Sequence, residues 1–118
     1  MAADDLARRL VAAPGFRWMP GMVLSNGYRL GEADMADARA GDTWGWLPAI
    51  WSDAPATEGC LLRLARDAWD SEVDVEGYGT HSVCVVVGYD TESRGFRGAT
   101  LGEALAHAIL AAPGVDDA

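Results

Sequence analysis

Apolar residues recur at helical spacing in three segments of the chain, and signals for helix ends stand at their borders. The first segment covers about residues 4–13, and the second covers about 54–69, where Pro55 suits the first turn. The third covers about 101–112, where Thr100 and Glu103 form a Thr-x-x-Glu capping box. The predicted apolar faces consist of Leu6, Ala7, Leu10 and Val11; of Leu61, Leu64, Ala65, Ala68 and Trp69; and of Leu101, Leu105, Ala108, Ile109 and Ala112.

Other segments show the patterns of strands. Residues 72–76 alternate strictly between acidic and apolar types, which predicts a strand with one face in water. Residues 82–89 are nearly all apolar and β-branched, which predicts a strand covered on both faces, joined to the first by a glycine-rich turn. Arg94–Gly98 is predicted as a further short strand. The dipeptide Asn26-Gly27 favours a type I′ turn, so we expect another hairpin over residues 22–30.

The remaining segment, residues 31–52, lacks clear periodicity, and we expect a partly ordered loop with a short helix near 32–39. These elements predict a single compact α+β domain over residues 1–118. In it, three helices flank an antiparallel sheet of about four strands, in the order α-β-β-α-β-β-α. Half of the 118 residues are apolar, which is enough to form a core without a metal or a disulfide.

The charge balance narrows the class of partner. Eighteen Asp and Glu face nine Arg, Lys is absent, and the formal net charge is −9. Such a chain repels phosphate backbones and attracts basic protein surfaces, so we expect no direct binding of nucleic acid. The N-terminus lacks the pattern of a signal peptide, and no apolar run approaches the roughly 18 residues of a membrane span. The sequence therefore predicts a cytoplasmic protein without membrane contact, in which Cys60 and Cys84 are reduced structural thiols.

The residues that could do chemistry do not form a recognisable set. On a strand, the spacing of His81 and Cys84 places the two side chains on opposite faces, which argues against a nucleophile pair. His107 stands one turn after Glu103, which predicts a solvated ion pair on the surface of the third helix. The acids of residues 32–42 lack the spacing of a calcium loop. We therefore predict no catalytic residue, no cofactor and no metal site, and expect a protein that is not an enzyme.

The candidate partner-binding residues lie in the irregular segment. Four of them are acidic and could face a basic partner, and three are tryptophans within eight residues of one another. The tryptophans either anchor a partner or cover one face of the sheet as a lid, and the small number of other large side chains favours the lid. The candidate residues are Glu32, Asp34, Asp37, Asp42, Trp44, Trp46 and Trp51.

Three motifs resemble sequences of small uncharacterised proteins of tailed bacteriophages and prophages. They are PGFRWMPGM at residues 14–22, DAPATEGCLLRLARDAW at 53–69 and GATLGEAL at 98–105, and together they cover about a third of the chain. The resemblance implies a phage origin, a location in the host cytoplasm and a fold like the α-β-α sandwich proteins of phages. It implies no activity and no functional residue.

These observations favour a non-enzymatic, acidic phage accessory protein that binds a host protein or complex with a basic surface. An anti-CRISPR protein, or another defence inhibitor that masks a nucleic-acid-binding surface, is one form of this hypothesis. The alternative is a dimeric regulatory or antitoxin-like module of the HicB type, suggested by the strand that precedes the Thr-x-x-Glu-Ala-Leu helix start at residues 100–105. A small enzyme or metal protein is a third, less favoured class, because no acid, base and nucleophile converge in the sequence.

Overall fold

Four α-helices, a short 3-10 turn and three strands make up the described part of the chain in the computed structural model. The structure describes residues 3–41, 43, 45–50, 55–76, 83–87 and 94–112. The helices are α1 (Ala3–Ala12), α2 (Met35–Arg39), α3 (Pro55–Trp69) and α4 (Leu101–Leu110), and the 3-10 turn Glu32–Asp34 precedes α2. The strands are β1 (Val73–Glu76), β2 (Val83–Val87) and β3 (Arg94–Gly98).

The three strands form one antiparallel sheet in the order β1-β2-β3. Val75 of β1 lies opposite Val85 of β2, which in turn lies opposite Phe96 of β3. Because side chains alternate across a sheet, this row shares one face with Val73 and Val87, which are buried. Helix α4 packs on this face at β2 and β3, and α3 contacts β1.

Helix α4 is the centre of the core. It packs against α1 and α3 as well as the sheet, so it is buried on most of its circumference. Its residues Ala104, Leu105, Ala106, Ala108 and Ile109 are at most 2% exposed. The capping box predicted at its start is present in one half: the Thr100 hydroxyl accepts the N–H of Glu103 at 3.1 Å, whereas the Glu103 carboxylate accepts the N–H of Ala99 at 3.2 Å rather than that of Thr100.

Hydrogen bonds connect the irregular segments before α3 with α3 and with the N-terminus of α4. The Thr100 hydroxyl donates to the carbonyl of Ile50, and that close approach requires a glycine at position 102. Thr57 in α3 is fully buried, and its hydroxyl oxygen lies 2.7 Å from the backbone nitrogen of Val23, which donates to it. Buried polar groups of this kind hold the irregular segments in register with the helices.

The hairpin around Asn26-Gly27 differs from the prediction. Its turn is present, but Gly27 has φ +90° and Asn26 does not have a positive φ, so the turn is not type I′. The flanking residues form only isolated bridges, between Val23 and Arg29 and between Leu24 and Pro48. Two hydrogen bonds flank the Leu24–Pro48 bridge, from the Ala49 N–H to the carbonyl of Val23 at 2.9 Å and from the Ser25 N–H to the carbonyl of Leu47 at 2.7 Å, so the hairpin pairs with residues 47–49 and not with the sheet.

The α+β class is confirmed, and the finer prediction needs correction. The described residues contain a sheet of three strands rather than about four, because the hairpin of residues 22–30 does not join it. The element order of the described residues is α1-α2-α3-β1-β2-β3-α4. Between α1 and α3, where two strands were expected, it has the short helix α2, and between α3 and α4, where two strands were expected, it has three. The short helix near 32–39 is present as the 3-10 turn and α2.

The outer face of β2 is also less covered than predicted. Its side chains Cys84 and Val86 are half-buried, whereas Val83, Val85 and Val87 on the other face are buried. The same face of β1 carries exposed acids, at Asp74 and Glu76. A run of apolar residues does not reveal whether the second face of a strand is covered by a helix or only shielded by side chains on adjacent strands.

Candidate functional site

The acidic candidates that the structure describes lie in the 3-10 turn and in α2. Glu32 and Asp37 are exposed, and neither forms an ion pair with another described residue. Asp42, the fourth acidic candidate, lies outside the described residues. Among the described residues of this segment, Glu32 and Asp37 are therefore the carboxylates that remain available to a partner.

Asp34 has a structural role instead. Its Oδ2 atom accepts the backbone N–H of Gly31 at 2.8 Å and the hydroxyl of Tyr28 at 2.9 Å, which joins the hairpin to the 3-10 turn. The hydrogen bond to Asp34 raises the pKa of Tyr28 above its ordinary value, because it stabilises the protonated phenol. Reversing this charge would change the local structure, so Asp34 is a poor position at which to test partner binding.

Trp46 is the only candidate tryptophan within the described residues, since Trp44 and Trp51 lie outside them. Its side chain is 43% exposed. Its backbone is fixed in a tight turn, where its N–H donates to the carbonyl of Thr43 at 2.9 Å and its carbonyl accepts the Thr43 hydroxyl at 2.9 Å. The exposure favours the anchor interpretation over the lid for Trp46.

Tyr28 is a functional candidate that the sequence reasoning missed. Tyr28, at 44% exposed, and Trp46 are the exposed large hydrophobic side chains among the described residues. Both belong to one connected unit, because Ser25 donates its N–H to the carbonyl of Leu47 at 2.7 Å, beside Trp46. We call Tyr28, Trp46, Glu32 and Asp37 together the hairpin surface. The signal that the sequence offered for it was a tyrosine directly after the Asn26-Gly27 turn, where a side chain is commonly exposed.

A second group of acids lies at the end of α3 and along β1. Five carboxylates stand within residues 67–76, and all are exposed. Two of them are paired, Asp67 with Arg17 at 3.0 Å and Glu72 with Arg66 at 3.6 Å. The others are Asp70, Asp74 and Glu76, which form no ion pair with a described residue. We call the three unpaired residues Asp70, Asp74 and Glu76 the acidic stripe.

The remaining chemical candidates are placed as follows. Burial raises the pKa of the half-buried Cys60 thiol, which keeps it protonated and a weak nucleophile. Cys84 lies on the outer face of the sheet, while His81 lies outside the described residues. The predicted ion pair between Glu103 and His107 is wrong, because the Glu103 carboxylate caps α4 and His107 is half-buried beside a cleft.

Among the described residues, no group of three or more His, Cys, Asp and Glu could hold a metal ion. None of the helices in these ranges is long and apolar enough to cross a membrane. The similarity to phage proteins stays a prediction from the three motifs. In comparisons with known proteins, the chain matches no protein family, no curated protein and no solved structure.

Proposed function

We propose that the chain is a non-enzymatic binding protein that engages the basic surface of a protein partner through the hairpin surface. The partner class expected from the sequence is a host protein or complex that handles nucleic acid, as for an anti-CRISPR protein or another defence inhibitor. The observations that carry the proposal are the exposure of Tyr28, Trp46, Glu32 and Asp37, and the hydrogen bonds that link their segments, from Ser25 to Leu47 and from Tyr28 to Asp34.

The aromatic residues supply the anchoring part of this interaction. Tryptophan and tyrosine dominate the hot spots of protein interfaces because they bury large area with few rotatable bonds. The backbone of Trp46 is already held by Thr43, and the hydroxyl of Tyr28 by Asp34, so both side chains start from a restricted set of positions. Preorganisation of this kind lowers the entropic cost of binding.

The carboxylates supply the attraction at longer range. Glu32 and Asp37 are exposed in the 3-10 turn and α2, which the bond between Asp34 and Tyr28 joins to the hairpin, and the acidic stripe adds unpaired charge elsewhere on a chain of net charge −9. Fields of this sign raise the association rate with a basic partner and lose strength as salt increases. The proposal therefore assigns residence time mainly to Trp46 and Tyr28, and encounter rate mainly to the carboxylates.

The test is a comparison of tagged baits in host lysate, at low and at high salt, with mass spectrometry of the retained proteins. The baits are the wild type, W46A, E32K/D37K and the charge-matched control D5K/D67K, whose carboxylates are already ion-paired. We expect a nucleic-acid-handling protein in the wild-type and control lanes, absent from the other two and lost at high salt. Proteins retained equally by all four baits, or retained at high salt, contradict the proposal.

A dimeric regulatory module of the HicB type is the second candidate function. It is supported by the strand-to-helix unit, since β3 leads within two residues into the capped helix α4. It predicts that the chain is a dimer at micromolar concentration, whereas the first candidate requires no self-association. Sedimentation velocity over a range of concentrations distinguishes the two, because a monomer throughout removes the basis for the dimeric module.

A further inference from the structure

A broad cleft of about 490 Å³ opens where α1, β3 and the end of α4 meet. Arg9 of α1, Arg97 of β3 and His107 of α4 line it, and we call these three residues the cationic group. Each comes from a different element, so only the folded chain brings them to one place. The chain has a net charge of −9, so a cleft lined by three basic residues is a place where the local charge is opposite to that of the chain.

The cationic group is not neutralised by the described part of the chain. Elsewhere, three arginines form ion pairs with carboxylates, Arg8 with Asp5, Arg17 with Asp67 and Arg66 with Glu72. Arg94 lies over the rings of Trp69 and Phe96, at 5.6 and 5.3 Å from their centroids. The residues of the cationic group form no ion pair with any residue in the described ranges. Glu103, one turn before His107, accepts the N–H of Ala99 instead.

Part of this basic character has a simpler explanation. Arg9 lies in the last turn of α1 and His107 in the last turn of α4, where basic side chains stabilise the negative end of the helix dipole. Arg97 is on a strand and gains nothing from such a dipole. Dipole stabilisation therefore does not account for the convergence of all three residues on one cleft.

The cleft also has an apolar wall, formed by the half-buried side chains of Phe96 and Leu110. Its volume is within the range of roughly 300–1,000 Å³ that small organic ligands occupy. Guanidinium groups bind phosphate through forked, charge-assisted hydrogen bonds, and an imidazole adds a further donor. A bare anion would leave the apolar wall unused.

We propose that this cleft binds a phosphate monoester, with the phosphate on the cationic group and the organic part on the apolar wall. A phosphate dianion matches two guanidinium groups and a histidine better than a carboxylate anion does. The register places the Cβ of Arg97 on the sheet face opposite α4, so the proposal requires its guanidinium to reach the cleft around the outer edge of β3. The site is separate from the hairpin surface and uses residues of the opposite charge.

Phenyl phosphate is the probe, because it carries a dianion and an aromatic ring. Its affinity is measured by calorimetry, and the backbone amide signals of Gly95 and Arg97 are followed by NMR. We expect saturable binding that falls at least about tenfold in R9Q/R97Q and also weakens in H107Q, because each change removes a charge-assisted or donor contact. The control R29Q/R63Q, which removes two exposed arginines outside the cleft, should stay within about twofold of the wild type.

Inorganic phosphate and benzyl alcohol test the two halves of the ligand separately. We expect inorganic phosphate to bind more weakly than phenyl phosphate, and benzyl alcohol to give no saturable shift. Residues 113–118 lie outside the described residues and carry Asp116 and Asp117, so the titration is repeated with D116N/D117N to remove competing carboxylates.

Any of four results would overturn the proposal. The first is the absence of saturable phenyl phosphate binding in both backgrounds. The second is an equal loss in R9Q/R97Q and R29Q/R63Q, which would indicate general electrostatics. The third is equal affinity for inorganic phosphate and phenyl phosphate, which would leave the apolar wall without a role. The fourth is a lower melting temperature in R9Q and H107Q with an unchanged affinity for phenyl phosphate, because these residues would then only stabilise the helix ends.

Discussion

Two helical glycines provide a sharp test of how the chain before α3 meets α4. A Cβ atom at Gly102 would lie 2.7 Å from the carbonyl oxygen of Ile50 and 2.9 Å from its Cα, well inside ordinary contact at 3.4–4 Å. Both atoms belong to backbone, so neither can rotate away. A Cβ at Gly59, in the middle of α3, would meet nothing within 4 Å. The same substitution therefore has opposite effects at the two positions.

The magnitudes follow from helix propensity and crowding. Gly59→Ala should stabilise the fold by about 1 kcal/mol, because alanine loses less backbone entropy than glycine in a helix interior. Gly102→Ala has a similar or smaller propensity gain but forces Ile50 away from α4, and overpacking of this kind costs roughly 1–3 kcal/mol. We expect a net loss of roughly 1–2 kcal/mol at position 102, and thus a difference of roughly 2–3 kcal/mol between the two variants.

Urea unfolding followed by tryptophan fluorescence measures both variants against the wild type. The comparison is valid where the slope of the transition is unchanged, because the free energies then refer to the same unfolded state. Gly59→Ala is the matched control, since it reports the propensity effect without the contact. Equal stabilisation by both substitutions would refute the reasoning, because it would mean that Ile50 does not lie against α4 at this position.

The remaining predictions concern buried or coupled polar groups. Thr57→Val should destabilise the fold by about 1–3 kcal/mol, because it leaves the N–H of Val23 unpaired in the core, whereas Thr57→Ser should retain most of the stability in the same urea titration. Asp34→Asn should lower the pKa of Tyr28 towards its ordinary value, read from phenolate absorbance with the other two tyrosines replaced by Phe. Since the pKa of Tyr28 is raised in the folded state, the hydrogen bond stabilises the fold fully below the ordinary tyrosine pKa, and this stabilisation is lost as the pH rises through the folded pKa. An unchanged pKa of Tyr28 in Asp34→Asn contradicts this coupling. Trp69→Phe should cost about 1–2 kcal/mol, because the indole N–H donates at 2.7 Å to a carbonyl in the last turn of α4, and an unchanged unfolding midpoint would show that water replaces it.

The helices were predictable because their limits are set by local signals. Pro55 is the first residue of α3 as its fixed φ suggests, and the Thr100 hydroxyl caps α4 by accepting the N–H of Glu103, as their spacing predicts. For the hairpin at 22–30, the position of the turn was predicted correctly, but its type and its membership of the sheet were not. Whether a hairpin joins a sheet depends on the segment it meets, here residues 47–49, and that pairing is not local.

The candidate site was less predictable for the same reason. The acids and tryptophans of residues 31–52 were visible in the sequence, but their roles depend on contacts with other segments. The role of Asp34 is structural because its carboxylate accepts the hydroxyl of Tyr28, and Tyr28 is a candidate because its side chain is exposed. The cationic group was invisible, since three basic residues from α1, β3 and α4 share no local pattern.

The two proposed surfaces predict responses of opposite sign, and the charge-matched controls separate these responses from a general effect of net charge. Both interactions weaken with salt, so salt dependence alone cannot separate them. E32K/D37K makes the chain less negative, and it should abolish capture of the basic partner while leaving phenyl phosphate affinity unchanged or slightly higher. R9Q/R97Q makes the chain more negative, and it should abolish phosphate binding while leaving the partner bound. A general effect of net charge would change each affinity in the same direction as the local site does. In that case, however, R29Q/R63Q and D5K/D67K would act as strongly as the site variants. Only local sites predict that the charge-matched controls are silent in both assays.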